Sequence, residues 1–223
     1  MKILCLSLLS LGLVLSAAGA EDKASLDNRI RKLTAKFEAL QEQSDKRIPA
    51  DKLRAAQGIV LLDRTKAGFI FAYQGGNGLG MVKDPKSGVW GPAAFLKANE
   101  ASLGFQVGGQ KSFLVILLMT TEASRFLTDG DINFGGEARA TAGKSSAGAE
   151  GDVKSTPAVL VYDDRNGLYG GAAIKGGSIS PDDDANTTYY GQYAPLKAIL
   201  FEKKFKPSDV TKELVVKIKK AAK

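Results

Sequence analysis

Histidine is absent from all 223 residues, and the only cysteine, Cys5, falls within the first twenty. The first absence removes the commonest general base and the commonest metal ligand. The second leaves no thiol nucleophile, no structural zinc site and no disulfide in the chain beyond residue 20. Long apolar runs are also scarce. The longest, Ile3 to Val14, is shorter than the roughly 20 residues that a bilayer-spanning helix needs. Lys2 precedes it, and Ala18-Gly19-Ala20 follows as an A-x-A site, which is the form of a cleavable export signal over residues 1–20. Cys5 sits inside the apolar run rather than at the cleavage junction, so it is expected to leave with the signal rather than to carry a lipid. About 200 remaining residues bury enough surface to fold without covalent staples.

The rest is ordinary globular composition, 44% hydrophobic and 25% charged. The charge is unevenly placed. Residues 197–223 hold nine lysines against Glu202, Asp209 and Glu213, whereas residues 21–196 balance 21 basic against 21 acidic side chains. The net positive charge of the exported chain therefore lies at its C-terminal end.

Leu26, Ile30, Leu33, Phe37 and Leu40 recur at steps of four and three, which predicts an amphipathic helix capped by Ser25 and running to about Lys46, within an N-terminal segment 21–47. Arg29, Lys32 and Lys36 flank the stripe on one side. From Gly58 the texture becomes short apolar runs divided by glycine: GIVLLDR, AGFIFAYQ, GLGMVKD, LGFQVGG, SFLVILLM, INFGGEARATAG, PAVLVYDD and GLYGGAAIKGGSIS. A helix capped by Thr120 or Thr121 interrupts them, residues 144–152 read as a polar loop, and Asp164 to Gly167 reads as a turn between two strands. Strands following one another with so few helices predict an α+β fold over residues 48–206. Its core is a mainly antiparallel sheet or partly closed barrel, with Trp90, Phe105 and Tyr169 at least partly buried. Pro207 and Ser208 then open a basic helix over residues 207–223. On its wheel Val210, Leu214, Val215, Ile218, Ala221 and Ala222 span an arc of about 140°, while Lys212, Lys219, Lys220 and Lys223 occupy a separate arc.

Motifs that suggest chemistry have plainer readings here. GGNGLG at Gly75 to Gly80 lacks dinucleotide-binding spacing and leads into a strand-like segment, so a tight glycine hairpin is expected. GGQKS at Gly108 to Ser112 has Gln110 where a phosphate loop needs glycine, and no helix pattern follows. Asp182, Asp183 and Asp184 lack the spaced ladder of a calcium loop and read as a solvated turn. Tyr189, Tyr190 and Tyr193 are expected in core and rim packing. No serine–lysine or carboxylate pair stands out, so no enzyme and no cofactor are expected.

One ordered set of segments is distinctive together: IPAD at Ile48, AAQGIVLL at Ala55, KAGFIFAYQGGNGLGMV at Lys66, VWGP ending at Pro92, LGFQVGGQ at Leu103, FLVILLMTTEASRFL at Phe113, GLYGGAAIKGGSI at Gly167, NTTYYG at Asn186 and LKAILF at Leu196. From about Arg47 to Lys203 the chain resembles the SYLF domain family, whose eukaryotic members bind phosphoinositides and, in fungi, actin. It departs from the family at Gly91, where serine often follows the tryptophan, at Ser112, where an acid is common, and at AGKSSAGAEG, where a basic glycine-rich turn is usual. The resemblance implies a lipid-binding module, with membrane contact on an amphipathic segment before the glycine-rich core, a position held here by residues 23–47. For an exported chain the ligand class that transfers is anionic phospholipid at a membrane surface, with no nucleic acid. Its candidate contacts are Arg29, Lys32 and Lys36 on the first helix and Lys212, Lys219, Lys220 and Lys223 on the last.

Two alternatives remain open: a carrier holding one apolar molecule within the β-domain, and a hydrolase of unrecognised type. For the first helix, packing of its stripe on the sheet is as well supported as contact with lipid. The missing imidazole and thiol also predict that purified protein lacking residues 1–20 binds no transition metal tightly. Stoichiometric zinc or copper in elemental analysis would contradict this.

Overall fold

The computed structural model describes residues 21–67, 71–103, 110–128, 132–134, 158–164, 167–169 and 177–223. The export signal expected at 1–20, the polar loop at 144–152 and Phe105 lie outside these residues, as does the side chain of Tyr169. The chain runs through helices α1 (Lys23–Glu42) and α2 (Ala50–Ala55) into strands β1 (Gly58–Ala67), β2 (Phe71–Val82), β3 (Ala94–Leu103) and β4 (Gln110–Leu118). Helix α3 (Thr121–Arg125) leads to β5 (Ile132–Phe134), β6 (Val159–Asp163), β7 (Gly167–Tyr169) and β8 (Gly177–Pro181). Helices α4 (Asp183–Tyr190), α5 (Leu196–Leu200) and α6 (Asp209–Ala221) complete it.

The strands form one sheet in the order β5-β8-β3-β2-β1-β4-β6-β7, with every pairing antiparallel. This is the α+β antiparallel class that the strand spacing predicts. The barrel alternative falls: the sheet is open, and among the described residues its edges β5 and β7 do not pair with each other.

The apolar pattern explains why helices lie on both sides. Successive strand side chains point to opposite faces, so an unbroken apolar run needs cover on each. Ile59 and Leu61 of β1 pack with the α1 stripe, while Val60 and Leu62 pack with Leu127 and with Leu196, Ile199 and Leu200 of α5. On the first face Leu26, Ile30, Leu33, Phe37 and Leu40 are all buried, together with Val210, Leu214 and Ile218 of α6. Each such side chain contributes about 1.5–3 kcal/mol when fully buried. Trp90 is buried as expected.

Several local expectations change. The cap of α1 is Asp22 rather than Ser25; its carboxylate accepts from the Ser25 amide at 2.7 Å, and the helix ends at Glu42 instead of near Lys46. An aspartate three residues upstream is as good a cap as the serine and starts the helix earlier. The GGNGLG segment is no hairpin. It lies inside β2, where a Cβ on Gly76 or Gly78 would come within 2.7 Å of the Asp63 carbonyl or 2.6 Å of the Leu61 carbonyl. These glycines admit the close approach of β1 rather than a turn. The acidic triplet is no solvated turn either: Asp183 and Asp184 open α4, where negative charge suits the helix N-terminus. Helices α2, α4 and α5 and the first part of β3, AFLKANE, carry no clear sequence signal.

Helix α4 is fixed by Asn186. Its side-chain oxygen accepts from the Phe95 amide at 2.7 Å, and its nitrogen donates to the Phe95 carbonyl at 3.0 Å, so it serves that residue as a neighbouring strand would. The packing predicts that Phe37→Ala destabilises the protein by about 3–5 kcal/mol, measured by chemical unfolding. A loss below about 1 kcal/mol would mean that α1 is not part of the core.

Candidate functional site

The C-terminal helix arises as its sequence predicts. Ser208 caps it, accepting from the Thr211 amide at 3.3 Å, and the Ser208 hydroxyl lies 2.6 Å from that of Tyr189. Tyr189 in turn donates to Asp27 at 2.7 Å, which joins α6, α4 and α1 at one point. Burial foremost, with the Asp27 carboxylate adding to it, pushes Tyr189 up to about 12, so it stays protonated near neutral pH. Val210, Leu214 and Ile218 face inward, with Val215, Ala221 and Ala222 packed against the core. Lys212, Lys219, Lys220 and Lys223 are all exposed.

Their surroundings differ. Lys212 bridges to Asp209 at 2.7 Å, whereas Lys219, Lys220 and Lys223 form no ion pair with the described residues. The end of the helix is capped by another cation: Arg54 donates to the Ala222 carbonyl at 2.7 Å, and Lys83 donates to the Arg54 carbonyl at 2.8 Å while lying 4.9 Å from the Trp90 ring centre. The basic end thus continues from α6 onto α2 and the start of the β2–β3 connection.

The N-terminal candidates are placed differently. Arg29 is 8% exposed, and its guanidinium donates to the Leu96 carbonyl at 2.7 Å and to Asp182 at 2.9 Å. It also lies 5.2 Å from the Phe95 ring centre. This corrects the expectation that Arg29 meets lipid phosphate: buried between α1 and β3, its charge is used inside the fold. Lys32 and Lys36 both reach Asp63, at 3.0 and 2.6 Å, although Lys32 remains 67% exposed. The apolar stripe beneath them packs on the sheet, so of the two alternatives for α1 the core role is the one observed. Asp63, Asp182 and Arg54 were not foreseen, because each acts on a partner distant in sequence.

Beside Arg29 lies a cleft of about 610 Å³ lined by residues including Asn28, Lys32, Asp63, Asn77, Lys97 and Asp182. It carries both signs of charge, and its carboxylates Asp63 and Asp182 are already paired with cations. Such a lining suits a polar molecule or water rather than an apolar guest. Among the described residues no group of His, Cys, Asp or Glu could hold a metal ion, and no helix is long and apolar enough to cross a membrane.

The family model for Ysc84, described as Las17-binding protein actin regulator, matches residues 99–221, a stretch that includes α6. SH3 domain-containing YSC84-like protein 1 of Xenopus laevis is 33% identical over 175 residues, covering 76% of this chain and 51% of that protein. LAS seventeen-binding protein 3 of Saccharomyces cerevisiae is 30% identical over 162 residues, covering 70% of this chain and 35% of the relative. The human YSC84-like protein 1 is 31% identical over 160 residues, 70% of this chain and 46% of its own. The chain therefore spans about a third to a half of the length of these relatives.

The Asp63 bridge has a pH signature. Burial alone would raise this carboxyl, but hydrogen bonds from Lys36 and Lys32 and their charges outweigh it and hold Asp63 below its ordinary value. A group depressed on folding contributes stability above its unfolded pKa, about 3.9, and loses it as pH falls through the lower folded value. Asp63→Asn should therefore be less stable than wild type at pH 6, with the gap closing below about pH 4. Unfolding curves that keep the same gap at both pH values would contradict this.

Proposed function

This chain belongs to the Ysc84 (SYLF) family, and from that premise we propose that it is an exported, non-enzymatic module that associates peripherally with anionic phospholipid membrane. The observation that carries the reading is the outer face of α6, where Lys219, Lys220 and Lys223 project without ion-pair partners among the described residues, beside Lys212, on a helix whose apolar arc is already used by the core. Each lysine near an anionic bilayer is worth about 1 kcal/mol, so four supply weak, salt-sensitive recruitment without deep insertion. Lys32 adds to this only in competition with Asp63.

The names of the relatives carry binding of Las17 and regulation of actin. An exported chain does not meet those cytosolic partners, and membrane association is the family property that remains open to it. Export is supported by the form of residues 1–20, and processed protein should begin at Glu21. The apolar-carrier alternative finds no support in the polar cleft beside Arg29.

Changing Lys212, Lys219, Lys220 and Lys223 together to Gln should leave the fold intact, since all four are exposed. It should weaken sedimentation with phosphatidylglycerol vesicles by at least about tenfold at low salt. Wild-type binding should itself fall as salt shortens the screening length to about 8 Å at physiological strength. Equal binding by wild type and the quadruple variant would remove α6 from the role.

A further inference from the structure

The lysine arc of α6 is not purely polar. At 100° per residue Lys212 and Lys219 fall about 40° and 60° to one side of Val216 and Lys220 about 40° to the other, so Val216 lies within the basic face, with Asp209 and Glu213 about 20° and 60° away on the Lys220 side. It is 61% exposed, one of three large hydrophobic side chains so exposed among the described residues. The core does not use it: Val210, Leu214 and Ile218 take the buried positions. Helix α6 therefore shows solvent a β-branched apolar side chain with lysines on both sides of it, outnumbering the exposed carboxylates Asp209 and Glu213.

Val216 also borders a groove of about 380 Å³ between α6 and α1, where the facing wall carries Arg31, Thr34, Ala35 and Glu38. The polar groups there are largely satisfied. Glu38 is bridged to Lys217 at 2.6 Å, and the Thr34 hydroxyl donates to the Ile30 carbonyl at 2.9 Å within its own helix. Glu213 at the groove is the one carboxylate without such a bridge, and it lies about 60° from Val216, outside the lysine arc.

We propose that Val216, with the groove beside it, is a shallow apolar anchor that enters the headgroup region of an anionic phospholipid bilayer while Lys212, Lys219 and Lys220 meet phosphates on either side of it. This rests on the membrane reading above and changes its character, adding a salt-resistant component to electrostatic attraction. Charge complementarity selects the occupant. A net positive face with an apolar side chain within it matches an interface that is anionic outside and apolar beneath, whereas a second copy of the same face would set like net charge against itself.

Two variants without charge change test the idea. Against phosphatidylglycerol vesicles, Val216→Ser should weaken and Val216→Leu should strengthen partitioning, each by about two- to fivefold. The difference should persist at high salt, where the contribution of the lysines is screened. Both variants should melt with wild type, because the side chain is exposed. If wild type binds and loses binding in the lysine variant, yet the two Val216 variants match wild type, the anchor is overturned and the electrostatic reading stands. If wild type binds no vesicles, the membrane reading fails and the anchor with it. A change confined to self-association in sedimentation velocity would make Val216 a contact between copies and likewise overturn the anchor.

Discussion

The constraint on which the structure depends is that its sheet is apolar on both faces, so neither face can be left to solvent. Helix α1 covers one of them with a stripe repeating at helical period, and Arg29 at its margin fixes where that helix lies. The guanidinium holds the Leu96 carbonyl, Asp182 and the face of Phe95 at once, so one side chain ties α1 to β3 and to the approach of α4. A buried cation is tolerated only when paired and hydrogen-bonded, and here the partner is a carboxylate 153 residues away, so the pairing joins distant parts of the chain. Replacing Arg29 would leave Asp182 without that partner, which is why its role is architectural.

The position of α6 follows from that of α1. Its inward residues join the same apolar cluster, and its first turn is held by the chain of hydroxyls from Ser208 through Tyr189 to Asp27 of α1. Asn186 fixes α4, and hence Tyr189, by serving Phe95 on both of its backbone groups. The C-terminal helix is thus attached at its start by hydrogen bonds, along its length by apolar packing and at its end by Arg54. Which of its side chains face outward is decided by these contacts.

What the sequence made legible is what periodicity encodes. The α1 stripe, the two faces of α6 and the apolar runs of β1 and β4 are local patterns with one spacing each. The helical interruption was legible from its capping threonine instead, expected at Thr120 or Thr121 and found at Thr120. Helix α4 was hidden because Asn, Thr and Tyr are indifferent helix formers, and its stability comes from Asn186 and Tyr189 acting on distant elements. The glycines of β2 misled because glycine marks both turns and close strand approach, and only the neighbouring strand distinguishes them. Arg29 and Lys32 look alike on the wheel, yet one is buried and the other largely exposed. The difference is made by Asp182 and Leu96, which no local pattern places beside the helix. Val216 was legible in principle, since the arithmetic that separates the lysines from the core also sets it among them.

The lysines at the end of α6 have a competing explanation, because cations near a helix C-terminus interact favourably with its dipole and can cap its carbonyls. The structure weakens that account. Arg54, from a different helix, already occupies the Ala222 carbonyl, and dipole stabilisation at an exposed terminus is worth roughly 0.3–1 kcal/mol and falls off within the last turn. Lys212 lies two turns earlier, where its structural use is a bridge to the solvent-exposed Asp209, and such exposed pairs contribute little. Elsewhere in the fold the conspicuous cations have uses: Arg29 and Lys36 bridge to carboxylates, and Lys83 lies over an aromatic ring. Lys219, Lys220 and Lys223 differ from these, with no carboxylate to meet among the described residues and a helix end that another residue satisfies. A helix that needed charge only for solubility would gain as much from balanced signs, whereas here lysines outnumber the carboxylates Asp209 and Glu213 around an exposed valine. That combination is what gives α6, rather than α1, the stronger claim to the membrane.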